Sequence, residues 1–153
     1  MSAIPLRRGA EEGALSFVES YRRALERFDL DAVAARYRLP LPVIRPDRVR
    51  MVDGPDMLRA ELGMILDFYR WAGMVRVRAH DVRVDGFDPG MELVSLTWRP
   101  QDAAGQVIAD IDVTYTLRRA LGGHRITAVV AHNEERRRAP ILREVLDVLE
   151  RNA

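Results

Sequence analysis

A histidine and a tyrosine are the side chains of this sequence whose chemistry suits action on a small molecule. The imidazole of His132 can take up or release a proton near neutral pH, as a general acid or base does. The phenol of Tyr21 can donate a hydrogen bond to a ligand carbonyl. However, a histidine at a strand end more often bonds a neighbour, and a tyrosine on an apolar helix stripe is more often part of a core. The sequence leaves both interpretations open.

Other polar residues carry weaker signals. Arg45 could bind a ligand carboxylate through two parallel hydrogen bonds, although an exposed arginine is usually only solvated. The three histidines, His80, His124 and His132, lack the close spacing that is typical of metal sites. The sequence contains no phosphate-binding loop, dinucleotide fingerprint or GxSxG motif. We therefore expect neither a metal nor a cofactor.

Composition limits the class of protein. A chain of 153 residues suits a single domain. Its 24 basic and 23 acidic residues are spread along the chain for a net charge of +1, which argues against nucleic acid or an anionic membrane as partner. With no cysteine, a disulfide framework and a thiolate nucleophile are excluded. Because no stretch approaches a signal peptide or ~20 apolar residues, we expect a cytoplasmic protein with no membrane partner.

Helical periodicity marks the first half of the chain. Apolar residues at steps of three and four predict an amphipathic helix from Leu15 to Phe28 and a short second helix from Leu30 to Tyr37. The β-like segment from Val43 to Val52 is interrupted by Pro46, which predicts an irregular edge hairpin.

A third helix and a set of strands follow. Asp53 is the predicted cap of the helix, Pro55 suits its first turn and Gly73 suits its end. The apolar period then changes to two, and short turn-rich loops favour an antiparallel meander. The predicted strands run from Met74 to Asp85, Met91 to Arg99, Gln106 to Arg119 and Arg125 to Asn133. A last helix is predicted after Pro140, with an apolar face from Ile141 to Leu149.

Three segments together resemble one superfamily: FVESYRRALERFDLDAVAARY, DGPDMLRAEL to YRWAG, and TYTLRRALGGHRITAVVAHNE. They resemble the nuclear transport factor 2-like superfamily, which includes ketosteroid isomerase, scytalone dehydratase and SnoaL-type cyclases. The resemblance implies an α+β fold, in which a curved antiparallel sheet wraps around three helices as a cone with an apolar cavity. The expected parts are a tail at 1–10, the domain at 11–134, and a C-terminal helix at 135–153 that packs on the domain or on a dimer partner.

Within that superfamily, ketosteroid isomerase allows the most detailed comparison of catalytic residues. Tyr21 and Tyr37 have the separation of a tyrosine pair in that enzyme, which puts Tyr21 at its oxyanion tyrosine. The aspartate base of the enzyme corresponds to Arg45, and a guanidinium cannot accept a proton. Its strand aspartate corresponds to Ala109. Because both carboxylates are absent, ketosteroid isomerase activity is excluded.

Strand alternation predicts the cavity wall. On the third predicted strand one face is apolar from Val107 to Leu117, while Asp110, Asp112, Thr114 and Thr116 share the other face. By the register of the family, Ile126, Ala128, Val130 and His132 also face into the cone, whereas Trp98 is expected in core or interface packing. The predicted ligand contacts are Tyr37, Arg45, Ala109, Ile111, Val113, Tyr115 and Val130, with His132 and Tyr21 as candidate catalytic groups.

Two functions remain open at this level. One is cofactor-independent acid-base catalysis on a small apolar or aromatic molecule, as an isomerase, dehydratase or cyclase, with His132 and Tyr21. The alternative is a non-catalytic ligand-binding or dimerisation module. A homodimer through the outer sheet face is also expected, since proteins of this superfamily commonly pair this way and the last apolar helix face needs a cover.

Overall fold

The structure, a computed structural model, describes residues 8–88 and 90–132. Within these residues it has the predicted α+β fold, with three helices against a curved, open, six-stranded sheet. No helix among them is long and apolar enough to cross a membrane. The elements are α1 (Arg8–Glu26), α2 (Leu30–Ala34), β1 (Leu41–Arg45), β2 (Arg48–Val52), α3 (Pro55–Trp71), β3 (Met74–Asp88), β4 (Met91–Asp102), β5 (Ile111–Ala120) and β6 (Gly123–Ala131).

The first two helices form largely as their periodicity predicts. α1 buries one apolar stripe, and Asp29 caps α2 by accepting a hydrogen bond from the backbone of Ala32 at 3.1 Å. α2 ends at Ala34, three residues before the predicted end at Tyr37. The reason is a competing backbone contact, since the chain around Tyr37 pairs with Ile126 of β6 in a short parallel bridge. This pairing places the Tyr37 side chain at the sheet.

The third helix differs from its prediction at one end. The prediction for Asp53 is wrong, because Gly54 occupies the N-cap position and makes no side-chain capping bond. Pro55 does lie in the first turn, and Gly73 has the positive φ of +86° that ends a helix readily. α3 buries the stripe that was predicted from its period, with its buried residues at Leu58, Leu62, Leu66, Phe68 and Tyr69.

The sheet has the order β2-β1-β6-β5-β4-β3. The predicted edge hairpin and antiparallel meander are both confirmed, but β1 runs parallel to β6, so the whole sheet is mixed.

β5 begins at Ile111 and not at Gln106, because the Asp102 carboxylate accepts backbone bonds from Ala104 and Gln106 and so builds a turn there. Asn133 and the last predicted helix lie outside the described residues.

The concave face of the sheet packs against the helices. On β4 the buried positions alternate strictly, which places Val94, Leu96 and Trp98 on the concave face. Leu117 of β5 and Ile126 of β6 are fully buried opposite each other. The core therefore lies inside the curve of the sheet, and the cavity described next opens within it.

Candidate functional site

A cavity of about 210 Å³ lies between the concave face of the sheet and the three helices. Most of its wall is apolar, with Leu62 and Ile65 of α3, Val113 of β5 and Val129 of β6 among the lining residues. An engineered apolar cavity of about 150 Å³ binds benzene, so this one has room for a compound of one or two rings. Such an enclosed apolar space with few polar groups is typical of a small-molecule site.

Four of the aromatic residues in the lining meet through their polar atoms, and we call them the tyrosine cluster: Tyr21, Tyr37, Trp98 and Tyr115. The hydroxyl oxygens of Tyr21 and Tyr37 lie 2.5 Å apart. The indole Nε1 of Trp98 donates to the hydroxyl of Tyr115 at 2.8 Å. The ring of Tyr21 stacks on Trp98 with centroids 5.6 Å apart, and it lies 6.0 Å from the ring of Tyr115. Residues from α1, β4, β5 and the segment before β1 thus meet at one point.

The ionisation of these phenols follows from their surroundings. Burial raises the pKa of Tyr21 and of Tyr115 well above the usual value, and neighbouring phenols raise the pKa of Tyr21 further. Burial also raises the pKa of Tyr37 to about 12, although its hydrogen bond to Tyr21 acts in the other direction. All three phenols are therefore protonated at neutral pH, and they serve as hydrogen-bond donors and not as bases.

A second polar region of the lining is charged, and we call its residues Arg45, Arg50 and Glu61 the charged rim. Arg50 of β2 forms an ion pair with Glu61 of α3, and their side chains are only 16% and 17% exposed. The Nε of Arg50 is buried and makes no hydrogen bond within the described part of the chain. Asp112 also lines the cavity, and its Oδ1 accepts a bond from the Thr97 hydroxyl at 2.6 Å.

Six of the residues predicted from the sequence to be part of the site line this cavity. They are Tyr21, Tyr37, Arg45, Ile111, Val113 and Tyr115. Two other predicted contacts lie elsewhere. Ala109 is completely buried, yet it precedes β5 and is not part of the lining. Val130 pairs with Thr114 of the outer face, and its neighbours Val129 and Ala131 line the cavity in its place.

The predicted position of His132 on the concave wall is wrong. Its side chain is exposed, and its Nε2 lies 2.6 Å from the hydroxyl of Thr114 on the outer face. The cause is a bulge in β6: Thr116 pairs with Ala128, whereas the next residue, Leu117, pairs with Ile126. The extra residue inverts the alternation for the rest of the strand, so His132 faces away from the cavity.

Val107 also departs from its predicted place on the concave face. It lies before β5 and is 43% exposed, because the chain turns there instead of extending the strand. Ile111, Val113 and Tyr115 follow the predicted alternation because they lie within the regular part of β5.

Among the polar lining residues that sequence reasoning missed are Arg50, Glu61 and the indole of Trp98. For the two charged residues the signals were present in the spacing. Arg50 lies two residues before the buried Val52 on β2, so both share one face. Glu61 lies three residues after the buried Leu58 and four before the cavity-lining Ile65, so it shares their side of α3. Both are charged side chains at positions that point inward.

Metal ligation has no geometric support in the part of the chain that the structure describes. There, no three histidine, aspartate or glutamate side chains group closely enough to hold an ion. His124 and Glu92 are the nearest approach to such a group, with Nε2 and Oε2 3.7 Å apart, and they lie outside the cavity lining.

Comparison with known proteins agrees with this architecture. A protein of unknown function with a cystatin-like fold from Nostoc punctiforme has a TM-score of 0.68 at 10% identity, over 90% of this chain and 99% of that chain. Aln2 from a Streptomyces species has a TM-score of 0.68 at 18% identity, over 92% and 99%. An NTF-2 like protein of unknown function from Shewanella oneidensis has a TM-score of 0.62 at 15% identity, over 80% and 98%.

At these identities the structural likeness shows the fold alone. No protein of curated function matches the sequence. The model of one family, described as NTF2-like protein (DUF6841), matches residues 11–134, which is most of the chain and includes the helices and strands that form the cavity. The chain therefore belongs to the NTF2-like protein family DUF6841.

Proposed function

We propose that this chain is a ligand-binding module, which holds a small, mostly apolar molecule in the cavity through an oxygen acceptor on that molecule. The observation that carries the proposal is a surplus of donors in the tyrosine cluster. Three hydroxyls and one indole N–H supply four donor protons, whereas the Tyr21–Tyr37 bond, the Trp98–Tyr115 bond and the interaction of Tyr115 with Tyr21 use three of them. One proton is left for a ligand.

The direction of these hydrogen bonds decides which hydroxyl keeps a proton for the ligand. An indole N–H can only donate, so the Tyr115 oxygen accepts from Trp98. The Tyr115 hydroxyl lies close enough to Tyr21 to interact with it, and Tyr21 is bonded to Tyr37. Either hydroxyl of the Tyr21–Tyr37 pair can be the donor; in the arrangement that we propose, Tyr115 donates to Tyr21 and Tyr21 donates to Tyr37, so the spare proton lies on Tyr37 at the end of the chain. A donor without a partner in an apolar cavity costs about 1 to 3 kcal/mol, which a carbonyl oxygen of the ligand would recover.

Binding fits the lining better than acid-base catalysis by His132 and Tyr21. His132 faces outward, and Tyr21 is a protonated donor whose raised pKa makes it a poor base. Glu61 is the carboxylate of the charged rim, and it is held in an ion pair with the guanidinium of Arg50. These features favour the non-catalytic of the two functions that the sequence leaves open.

The proposal is tested with two probes that differ in a single oxygen function, indane and 1-indanone. Isothermal titration calorimetry should show that 1-indanone binds about tenfold more tightly, the increment of one buried hydrogen bond. Failure of both probes to bind, or equal affinity for both, would overturn the proposed role of the tyrosine cluster.

A homodimer through the outer face of β4, β5 and β6 remains part of the proposal. In support, the polar side chains of that face bond one another, as Ser95 and Thr114 do at 2.8 Å, so a partner surface could cover them without leaving donors unsatisfied. Light scattering at micromolar concentration should report twice the monomer mass, and Thr116→Arg should reduce it to that of the monomer. A wild-type monomer under those conditions would contradict the dimer.

A further inference from the structure

We infer that the ligand of this cavity carries a carboxylate, which binds the guanidinium of Arg50 at the charged rim. The inference rests on the proposed function and narrows the class of ligand. The expected molecule has an apolar ring system with a carbonyl oxygen for Tyr37 and a carboxylate for Arg50, as in a cyclic keto acid.

The first argument is the inverted pattern of the edge strand β2. Val49 and Met51 are 64% and 43% exposed, whereas Arg50 between them is turned into the cavity. A strand of a stable domain ordinarily does the reverse, with its apolar residues inward and its charge in water. A local conflict of this kind is expected where a residue serves a ligand and not the stability of the fold.

The second argument is the free donor on Arg50. Its Nη2 forms the ion pair with Glu61, while its Nε is buried and has no hydrogen-bond partner among residues 8–88 and 90–132. A guanidinium has five N–H donors in a rigid planar fork that matches the two oxygens of a carboxylate. An acceptor entering the cavity would therefore find a desolvated, charged donor ready to bind.

The third argument is the charge around Arg50. Arg45 and Arg48 face each other across the hairpin and are near enough to Arg50 to lower its pKa, after the larger effect of burial. Glu61 and Asp112 are the carboxylates of the cavity lining that offset this charge. Within the described lining, Arg45 and Arg50 balance these two carboxylates, and Arg48 beside the lining adds a positive charge near Arg50, which suits an anionic ligand.

The experiment uses two probes with the same ring ketone, 3-oxoindane-1-carboxylate and 3-oxoindane-1-carboxamide. Calorimetry at pH 7 should show that the wild-type chain binds the carboxylate at least about tenfold more tightly than the carboxamide, since charge-assisted hydrogen bonds are about twice as strong as neutral ones. The variant that carries both Arg50→Gln and Glu61→Gln keeps the net charge of the rim and removes the guanidinium donors, so it should reduce this preference at least about fivefold. It changes both partners of the ion pair, because an unpaired buried charge would destabilise the fold.

Two further variants complete the design. Arg83→Gln removes a positive charge from an exposed position on β3 and should keep the preference. Should the double variant fail to give a folded thermal transition, Arg50→Lys is used, which keeps the charge and loses the fork, and the preference should fall at least about threefold. Equal wild-type affinity for both probes, or a preference that is unchanged when Arg50 is substituted, would overturn the inference of a carboxylate. The proposed binding function would remain. If neither probe binds the wild type, both proposals fail.

Discussion

The hydroxyl oxygens of Tyr21 and Tyr37 lie 2.5 Å apart, although 16 residues separate them along the chain. They meet because α2 stops at Ala34 and the next residues pair with Ile126 of β6. The backbone thereby brings the second tyrosine to the sheet, beneath the first tyrosine on α1. This junction joins the helices to the sheet, and it also creates the donor that we assign to the ligand.

The first prediction concerns Tyr37→Phe, which removes only the hydroxyl at the end of the hydrogen-bonded chain. Affinity for 1-indanone should fall about tenfold, the value of one lost hydrogen bond, while affinity for indane should not change. Both are measured by isothermal titration calorimetry. An equal loss for the two probes would mean that the cavity itself had changed and that Tyr37 does not select the acceptor.

The second prediction concerns alkaline pH. The pKa of Tyr37 is about 12 in the folded chain against an ordinary value of 10.0, so its contribution to stability is complete below pH 10 and is lost as the pH rises towards 12. Two pKa units correspond to roughly 3 kcal/mol. Urea unfolding between pH 9 and 12 should show this fall, and Tyr37→Phe should make it shallower. An identical pH dependence in the variant would contradict the assignment.

The third prediction separates His132 from the cavity. In His132→Ala the exposed bond to Thr114 is lost, which should reduce the free energy of unfolding by at most about 1 kcal/mol. Affinity for 1-indanone should stay within about twofold of the wild type, because removing an exposed contact on the outer face leaves the lining intact. A loss of binding without a loss of stability would contradict this prediction and would mean that His132 contributes to the binding site.

The contrast between β5 and β6 explains how much of the site could be predicted. Alternation placed Val113 and Tyr115 correctly, because β5 is regular where it lines the cavity. It failed on β6 because one extra residue, Thr127, shifts the register, and its hydroxyl donates to the backbone of Thr116 at 3.3 Å. Nothing local, such as a glycine, marks that bulge. A long-range pairing choice of this kind is not encoded in the periodicity of a single strand.

Arg50 was missed for a different reason. A charged residue on an edge strand normally faces water, and this general expectation outweighed the parity that it shares with Val52. The fold itself was predictable, because the period of each long segment and the short loops between strands restrict the possible topologies. The side chains that we assign to function depart from these patterns of apolar periodicity and charge exposure. Sequence pattern alone would therefore place them elsewhere.

The last prediction tests the packing inside the curve of the sheet through two leucines that lie close in sequence. Leu117 is fully buried opposite Ile126, so Leu117→Ala should destabilise the chain by about 2 to 5 kcal/mol through lost contacts and an added void. Leu121 is fully exposed in the turn between β5 and β6, and Leu121→Ala should change the free energy of unfolding by less than about 0.5 kcal/mol. Urea unfolding of both variants measures the difference. Similar costs at the two sites would contradict the burial of Leu117 against Ile126 inside the curve of the sheet.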